Sequence, residues 1–126
     1  MSPHRLDQAD LVAALYRHAA GLFADTAAID LIARHGVWLH RTQFQPYLRL
    51  GHASATTADV GYVRWRAALS ALNQGHLPCA TSEAAILRIA AGLGANIPLR
   101  LRHVLGGLDH RNVALVTDAI ALANGT

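Results

Sequence analysis

Apolar side chains in this chain recur at the spacing of an α-helix, and this periodicity is the feature that most constrains its fold. The clearest stretch begins after Asp7, a good N-cap residue. Its apolar residues share one helical face: Leu11, Val12, Leu15, Ala19, Leu22 and Phe23. No comparable alternation of apolar and polar residues predicts a strand. The sequence therefore predicts an all-α protein, a compact bundle of five to six helices.

Two further helices are predicted in the first 75 residues. One begins at Asp25 or Thr26 and ends at Gly36, because glycine is favoured just past a helix C-terminus. Thr56 and Asp59 have the spacing of a capping box, so another helix is predicted to start there. Its apolar residues then recur at helical spacing: Tyr62, Trp65, Leu69 and Leu72.

The segment between these two helices gives weaker signals. Residues 37–41 fit a short strand or an extended link, and residues 42–50 fit a helical turn around Pro46. Residues 51–58 are small and polar without periodicity, which predicts the longest loop of the chain.

The C-terminal third is predicted to contain three helices, over residues 82–93, 98–105 and 109–123. Each begins with a residue suited to a helix N-terminus: Ser82, Pro98 and Asp109. The first is expected to fray at Gly92 and Gly94. The apolar residues of the last helix form one stripe that is expected to be buried: Val113, Val116, Ile120 and Ala123.

The length and composition set the number of domains. A chain of 126 residues, 52% hydrophobic and 15% charged, can bury one packed core and is unlike a disordered chain. One domain is therefore expected over residues 1–126, with residues 82–123 as a three-helix sub-unit within it.

The net charge is small, and by segment it is spread evenly. Eleven arginines, without any lysine, oppose eight carboxylates for a net charge of +3. Residues 1–50, 51–80 and 81–126 each carry +1. This argues against a basic tail that binds nucleic acid or a membrane surface regardless of sequence. Eight histidines gain charge near pH 6, which predicts poor stability in acid.

The sequence also predicts a location. Cys79 is the single cysteine, and the first residues lack the apolar segment of a secretion signal. Charged residues or histidine interrupt every apolar run before about 18 residues, the length of a membrane span. A cytoplasmic protein without membrane contact is expected. The combination of abundant alanine with arginine in place of lysine is typical of a high-GC bacterial coding sequence.

The C-terminal third resembles the helix-turn-helix unit of DNA-binding domains. Three consecutive predicted helices with a turn at Gly106 and Gly107 carry the resemblance. With Gly107 as the turn glycine, three apolar positions of the motif are matched: Leu108, Val113 and Val116. His103 and Arg102 depart from the motif, which usually has a small and a hydrophobic residue at these positions.

The resemblance implies a small, non-enzymatic DNA-binding protein that regulates transcription as a homodimer on double-stranded DNA. Arg100 and Arg102 would contact phosphate. In the major groove arginine reads guanine and asparagine reads adenine. The residues that open the recognition helix are His110, Arg111, Asn112 and Ala114. Asp118 shares a face with Arg111 and would oppose phosphate there.

The alternative function is a protein–protein interaction or self-association module. Five of the seven aromatic residues and four arginines fall within residues 38–66. Aromatic residues with arginine are typical of interface hot spots. The partner-binding candidates are Trp38, Arg41, Arg64 and Arg66. A core centred on this segment would also place the aromatic residues there.

Metal binding finds less support. His35 and His40 are five residues apart, and His103 and His110 are seven apart, so neither pair suits two zinc ligands on one helix. A remaining hypothesis is that His35, His40 and His52 converge on a ligand across the intervening loop.

Catalysis requires a nucleophile, a base and an orienting acid. Glu83, the single glutamate, is explained by its place in the first turn of a helix, and Asp109 is explained as a cap. Cys79 precedes a helix N-terminus, where a thiol pKa can fall, yet a lone cysteine is more often a small buried apolar residue. The sequence therefore predicts neither an enzyme nor a cofactor.

Overall fold

Helices dominate the fold, as the apolar periodicity predicts. The computed structural model describes residues 7–52 and 59–125, which form six α-helices and one antiparallel two-stranded hairpin. In chain order the elements are α1 (Gln8–Ala19), α2 (Phe23–His35), β1 (Leu48–His52), β2 (Asp59–Val63), α3 (Trp65–Asn73), α4 (Thr81–Ala95), α5 (Leu101–Leu105) and α6 (His110–Ala123). The prediction of a mostly helical fold is confirmed, but the hairpin shows that the fold is not a pure bundle.

α1 begins as predicted but ends early. The Asp7 side chain caps it by accepting a hydrogen bond from the Asp10 backbone N–H (2.8 Å). The helix ends at Ala19, and the chain turns at Gly21, whose φ of +88° glycine adopts without strain. Phe23, predicted on the buried stripe of this helix, instead begins α2 and is 61% exposed.

α2 is the central helix of the fold, because it packs against α1, α4 and α6. Its buried residues are Ala27, Ala28, Ile29, Leu31, Ile32 and His35. The helix starts slightly before the predicted Asp25 or Thr26 and ends where predicted. Gly36 follows it with a φ of +76° and donates its N–H to the Ile32 carbonyl oxygen (3.3 Å).

The β-hairpin occupies positions where helical structure is predicted. β1 replaces the last part of the predicted turn at 42–50, and β2 replaces the start of the predicted third helix. Leu48 lies opposite Val63 and His52 lies opposite Asp59. The hairpin packs on α1 through β2, so pairing and burial between distant segments outweigh the local helical pattern.

The third helix is consequently shorter than predicted and begins at Trp65. Thr56 of the predicted capping box, like residues 53–58 of the predicted loop, lies outside the described residues. Two short 3-10 helices, Trp38–His40 and Thr42–Tyr47, link α2 to β1. The second contains Pro46 and matches the predicted helical turn.

One cluster of buried side chains draws on β2 and all six α-helices. Its largest fully buried members are Trp38, Phe44, Leu15, Leu31, Ile32, Leu77, Ile86 and Leu87. The Trp38 indole N–H donates to the Glu83 carbonyl oxygen (2.9 Å), which satisfies the polar atom of this buried ring. This bond also fixes the segment after α2 to the first turn of α4.

α4 is longer than predicted at both ends. It begins after Ala80 rather than after Ser82, and the Glu83 carboxylate accepts the Ala80 N–H (2.9 Å). It continues through Gly92 and Gly94 instead of fraying, because both glycines allow close packing. A Cβ at Gly94 would lie 2.8 Å from Cε2 of the Trp65 indole.

The buried face of α6 differs from the predicted stripe. The residues that face the core are Asn112, Leu115, Val116 and Ala119. Val113 and Ile120, predicted to be buried, are 47% and 59% exposed. With Leu115, Val116 and Ala119 buried, Arg111 and Asp118 lie on the side of α6 that contacts Arg34 of α2.

Gly94→Ala should destabilise the protein by about 1–3 kcal/mol, the usual cost of overpacking a core. The added methyl group would force the Trp65 ring away from α4. Urea unfolding followed by circular dichroism measures the change. Gly106→Ala is the control, because Gly106 has a φ of −65° and its Cβ would meet no atom closer than 3.6 Å. Equal effects of the two substitutions would contradict the role of Gly94.

Candidate anion-binding groove

A groove lined by basic side chains runs between α3, α4 and α5. Three adjoining clefts form it, with volumes of about 370, 630 and 620 Å³. His103 lines all three. Three arginines complete the basic lining: Arg88, Arg100 and Arg102. In the described chain, no aspartate or glutamate lines any of these clefts.

The basic residues are positioned by helices that pack on the core. Arg88, in the middle of α4, donates a hydrogen bond from Nη2 to the side-chain oxygen of Asn73 at the end of α3 (2.8 Å). Arg100 immediately precedes α5 and accepts the Val104 N–H at its carbonyl oxygen (3.0 Å). Val104 is buried and anchors this short helix, which leaves Arg102 exposed beside the groove.

The part of the chain that lines this groove carries a small excess of positive charge. Residues 69–107, which span all the lining residues, contain three arginines and one carboxylate, Glu83, for a net charge of +2, whereas the rest of the chain carries +1. The Glu83 carboxylate is bonded to the Ala80 N–H at the start of α4. The segment boundary at 80 divides this region, so neither adjoining segment shows its charge separately.

Two more arginines, Arg64 and Arg66, flank Trp65 at the start of α3. Both are exposed, and neither side chain forms a hydrogen bond or an ion pair with another described residue. Arg66 is seven residues before Asn73 and therefore lies on the same face of α3 as that groove residue. The basic surface extends along α3 in this way.

The other two partner-binding candidates hold the fold together. Trp38 is fully buried, so its ring presents no surface to a partner. The Arg41 guanidinium carbon lies 4.7 Å from the centroid of the Trp38 ring, a cation–π contact. Its Nη2 donates to the Pro78 carbonyl oxygen (2.7 Å). The four predicted residues therefore do not form one surface.

The residues predicted to open a recognition helix are divided between the surface and the interior. His110 and Ala114 are exposed on α6. Asn112 is only 4% exposed, so its amide does not reach outward. Arg111 is on the surface, but its Nη2 donates to the Arg34 carbonyl oxygen at the end of α2 (3.1 Å).

The three histidines that were expected to converge on a ligand occupy three different environments. His35 is buried, His40 is exposed, and His52 pairs with Asp59 across the hairpin (Nδ1 to Oδ1, 3.2 Å). Among residues 7–52 and 59–125, no group of three histidine, cysteine, aspartate or glutamate side chains is arranged to hold a metal ion. These histidines therefore do not converge on a metal site.

The Cys79 thiol lines the cleft of about 370 Å³. Burial raises its pKa, and the nearby Glu83 carboxylate acts in the same direction, while Arg41 and Arg88 oppose them. A raised pKa keeps the thiol protonated at neutral pH, which is the opposite of an activated nucleophile.

Sequence reasoning found two of the groove residues, Arg100 and Arg102, through the helix-turn-helix resemblance. It missed Arg88 and Asn73, and it treated His103 only as a departure from the motif. One signal was available, because residues 84–108 contain three arginines and no carboxylate. The contribution of Asn73 depends on the packing of α3 against α4, which no local pattern shows.

Comparison with protein-family models, with curated proteins and with solved structures finds no match to this chain. Across the described residues, no helix has both the length and the apolar character needed to cross a bilayer. The helix-turn-helix resemblance of the C-terminal third therefore stays a prediction.

Arg41→Ala should lower the free energy of unfolding by about 1 kcal/mol, because it removes the cation–π contact with Trp38 and the hydrogen bond to Pro78. Arg66→Ala, which removes the same charge from an exposed side chain, should change it by less than about 0.5 kcal/mol. Urea titrations of the two variants measure both values. An Arg41→Ala protein as stable as the native protein would show that these two contacts of Arg41 do not stabilise the fold.

Proposed function

We propose that this protein is a non-enzymatic DNA-binding protein that contacts the phosphates of double-stranded DNA through the groove between α3, α4 and α5. One observation carries this proposal: Arg88, Arg100, Arg102 and His103 line a continuous groove that no carboxylate of the described chain enters. The guanidinium group matches phosphate in charge and geometry. Neutralising DNA phosphates also releases counterions, which favours binding.

The shape and lining of the groove favour a duplex backbone over other phosphate-bearing ligands. The clefts adjoin one another along an open surface rather than enclosing one small molecule. Their described lining contains no phenylalanine, tyrosine or tryptophan. Single-stranded nucleic acids are usually held by stacking their bases on such rings, so the absence of a stacking surface here favours paired bases.

The outer face of α6 supports binding with little dependence on base sequence. Its exposed residues include Val113, Ala114, Thr117 and Ile120, none of which carries a charge. Arg111 is bonded to α2, and Asp118 pairs with Arg34 (3.1 Å). Phosphate contacts by Arg100 and Arg102 thus fit the helix-turn-helix resemblance better than base contacts by α6 do.

A protein partner is the second candidate function. Large apolar side chains are exposed on the two C-terminal helices: Leu101, Leu105, Val113 and Ile120. Exposed apolar groups of this size favour association with another protein, including a second copy of this chain.

Ile120→Ser should then weaken association in sedimentation velocity while it leaves DNA affinity unchanged, because Ile120 is not a groove residue.

The test of DNA binding is fluorescence anisotropy of a labelled duplex of mixed sequence, titrated with protein at several salt concentrations. Arg100→Ala and Arg102→Ala should each weaken binding at all sequences alike. Each lost phosphate contact should lower the slope of log affinity against log salt concentration by about 1.

Arg49→Ala is the matched control for the same titration. Arg49 lies on β1, away from the groove, and its guanidinium bonds the carbonyl oxygens of Pro46 and Leu48. This variant loses the same charge and should bind the duplex almost as well as the native protein. Absence of binding at low salt, or an equal loss of affinity in Arg49→Ala, would overturn the proposal.

A further inference from the structure

Two buried polar side chains lie on α2 and α6, which pack against each other, and each has one buried polar atom without a hydrogen-bond partner. His35, the last residue of α2, is 6% exposed, and Asn112, in the first turn of α6, is 4% exposed. Among the described residues, Nδ1 of His35 and Oδ1 of Asn112 are the buried side-chain atoms that form no hydrogen bond. Such groups destabilise a protein interior unless they serve another purpose.

Arg111 of α6 already places a cation at this end of α2. Its guanidinium donates to the carbonyl oxygen of Arg34, the residue before His35. The Arg34 side chain itself points to Asp118 and Asp30, at 3.1 and 3.5 Å. A positive charge on His35 would therefore join the Arg111 guanidinium at this end of α2.

The two carboxylates that face His35 are both engaged in helix caps. Glu83 of α4 accepts the Ala80 N–H (2.9 Å), and Asp109 accepts the Asn112 N–H (2.8 Å) at the start of α6. Each cap uses one carboxylate oxygen, Oε1 of Glu83 and Oδ1 of Asp109. Within the described chain neither carboxylate forms an ion pair with His35.

Burial and the Arg111 charge lower the pKa of His35, and the Glu83 and Asp109 carboxylates oppose this shift only in part. His35 is therefore neutral at neutral pH. The folded state binds this proton more weakly than the unfolded state does. Protonation of His35 therefore does not reduce the free energy of unfolding while the pH stays above the ordinary histidine pKa of about 6.5. The free energy of unfolding decreases as the pH falls below that value.

We propose that His35 is an acid-sensitive switch that releases the first turns of α6 from α2 and α4. When the pH falls, the imidazole takes a proton from solvent and becomes a cation facing Arg111. Separation of the α6 N-terminus from α2 removes this repulsion and gives the imidazolium access to water. The proposal is independent of DNA binding, because none of these residues lines the groove.

The test compares urea unfolding at pH 7.5 and at pH 5.5 in the native protein, in His35→Gln and in His76→Gln. The native protein and His76→Gln, a variant at an exposed histidine, should lose folding stability at the lower pH. The folding equilibrium constant should fall by up to about tenfold per pH unit through this one proton. His35→Gln should lose much less, because it has no proton to gain at the junction.

A pH titration of the native protein by NMR tests the switch even if His35→Gln does not fold. The His35 ring should titrate below the ordinary histidine pKa of about 6.5, and the amide signals of residues 110–116 should shift with the same midpoint. Arg111→Gln should raise the His35 midpoint, because it removes the neighbouring cation. The proposal is overturned if the His35 midpoint is not below about 6.5, or if the amide signals of residues 110–116 do not shift with it. Undiminished pH dependence in a folded His35→Gln protein would also overturn it.

Discussion

The last carbonyl groups of α2 need hydrogen-bond partners from outside the helix, and the packing of α6 against α2 supplies one of them. The last carbonyl groups of a helix lack partners within it. Here Gly36 bonds back to Ile32, and the Arg111 side chain bonds the Arg34 carbonyl oxygen. The second bond joins α6 to the end of α2, and on the same helix Asn112 is buried while Val113 is exposed.

The carboxylates of the described chain and the arginines of α3, α4 and α5 occupy different places in the fold. Carboxylates are used where helices begin or meet: Asp7 and Asp109 as caps, Glu83 at the start of α4, and Asp118 in the ion pair with Arg34. The arginines of α3, α4 and α5 are left without carboxylate partners in the described chain. The described lining of the groove therefore contains arginine and histidine without a carboxylate, although the net charge of the whole chain is only +3.

Features that depend on neighbouring residues could be predicted from the sequence, and features that depend on distant contacts could not. The caps at Asp7 and Asp109 and the stop at Gly36 are local, and the structure confirms them. The hairpin was missed because five residues of β2 acquire their conformation by pairing with β1. Arg100 and Arg102 were predicted as phosphate contacts, which remains a prediction, whereas the arrangement of Arg88 with Asn73 requires the packing of two helices.

The close packing of Trp65 on Gly94 has a consequence for the intrinsic fluorescence of this protein. The two tryptophans occupy different depths: the Trp38 indole is enclosed in the core, and the Trp65 indole lies between α3 and α4, two of the helices that border the groove. Intrinsic fluorescence therefore carries two signals from native residues. One reports the environment of Trp38 in the core, and the other reports the packing of Trp65 against the end of α4, without an attached dye.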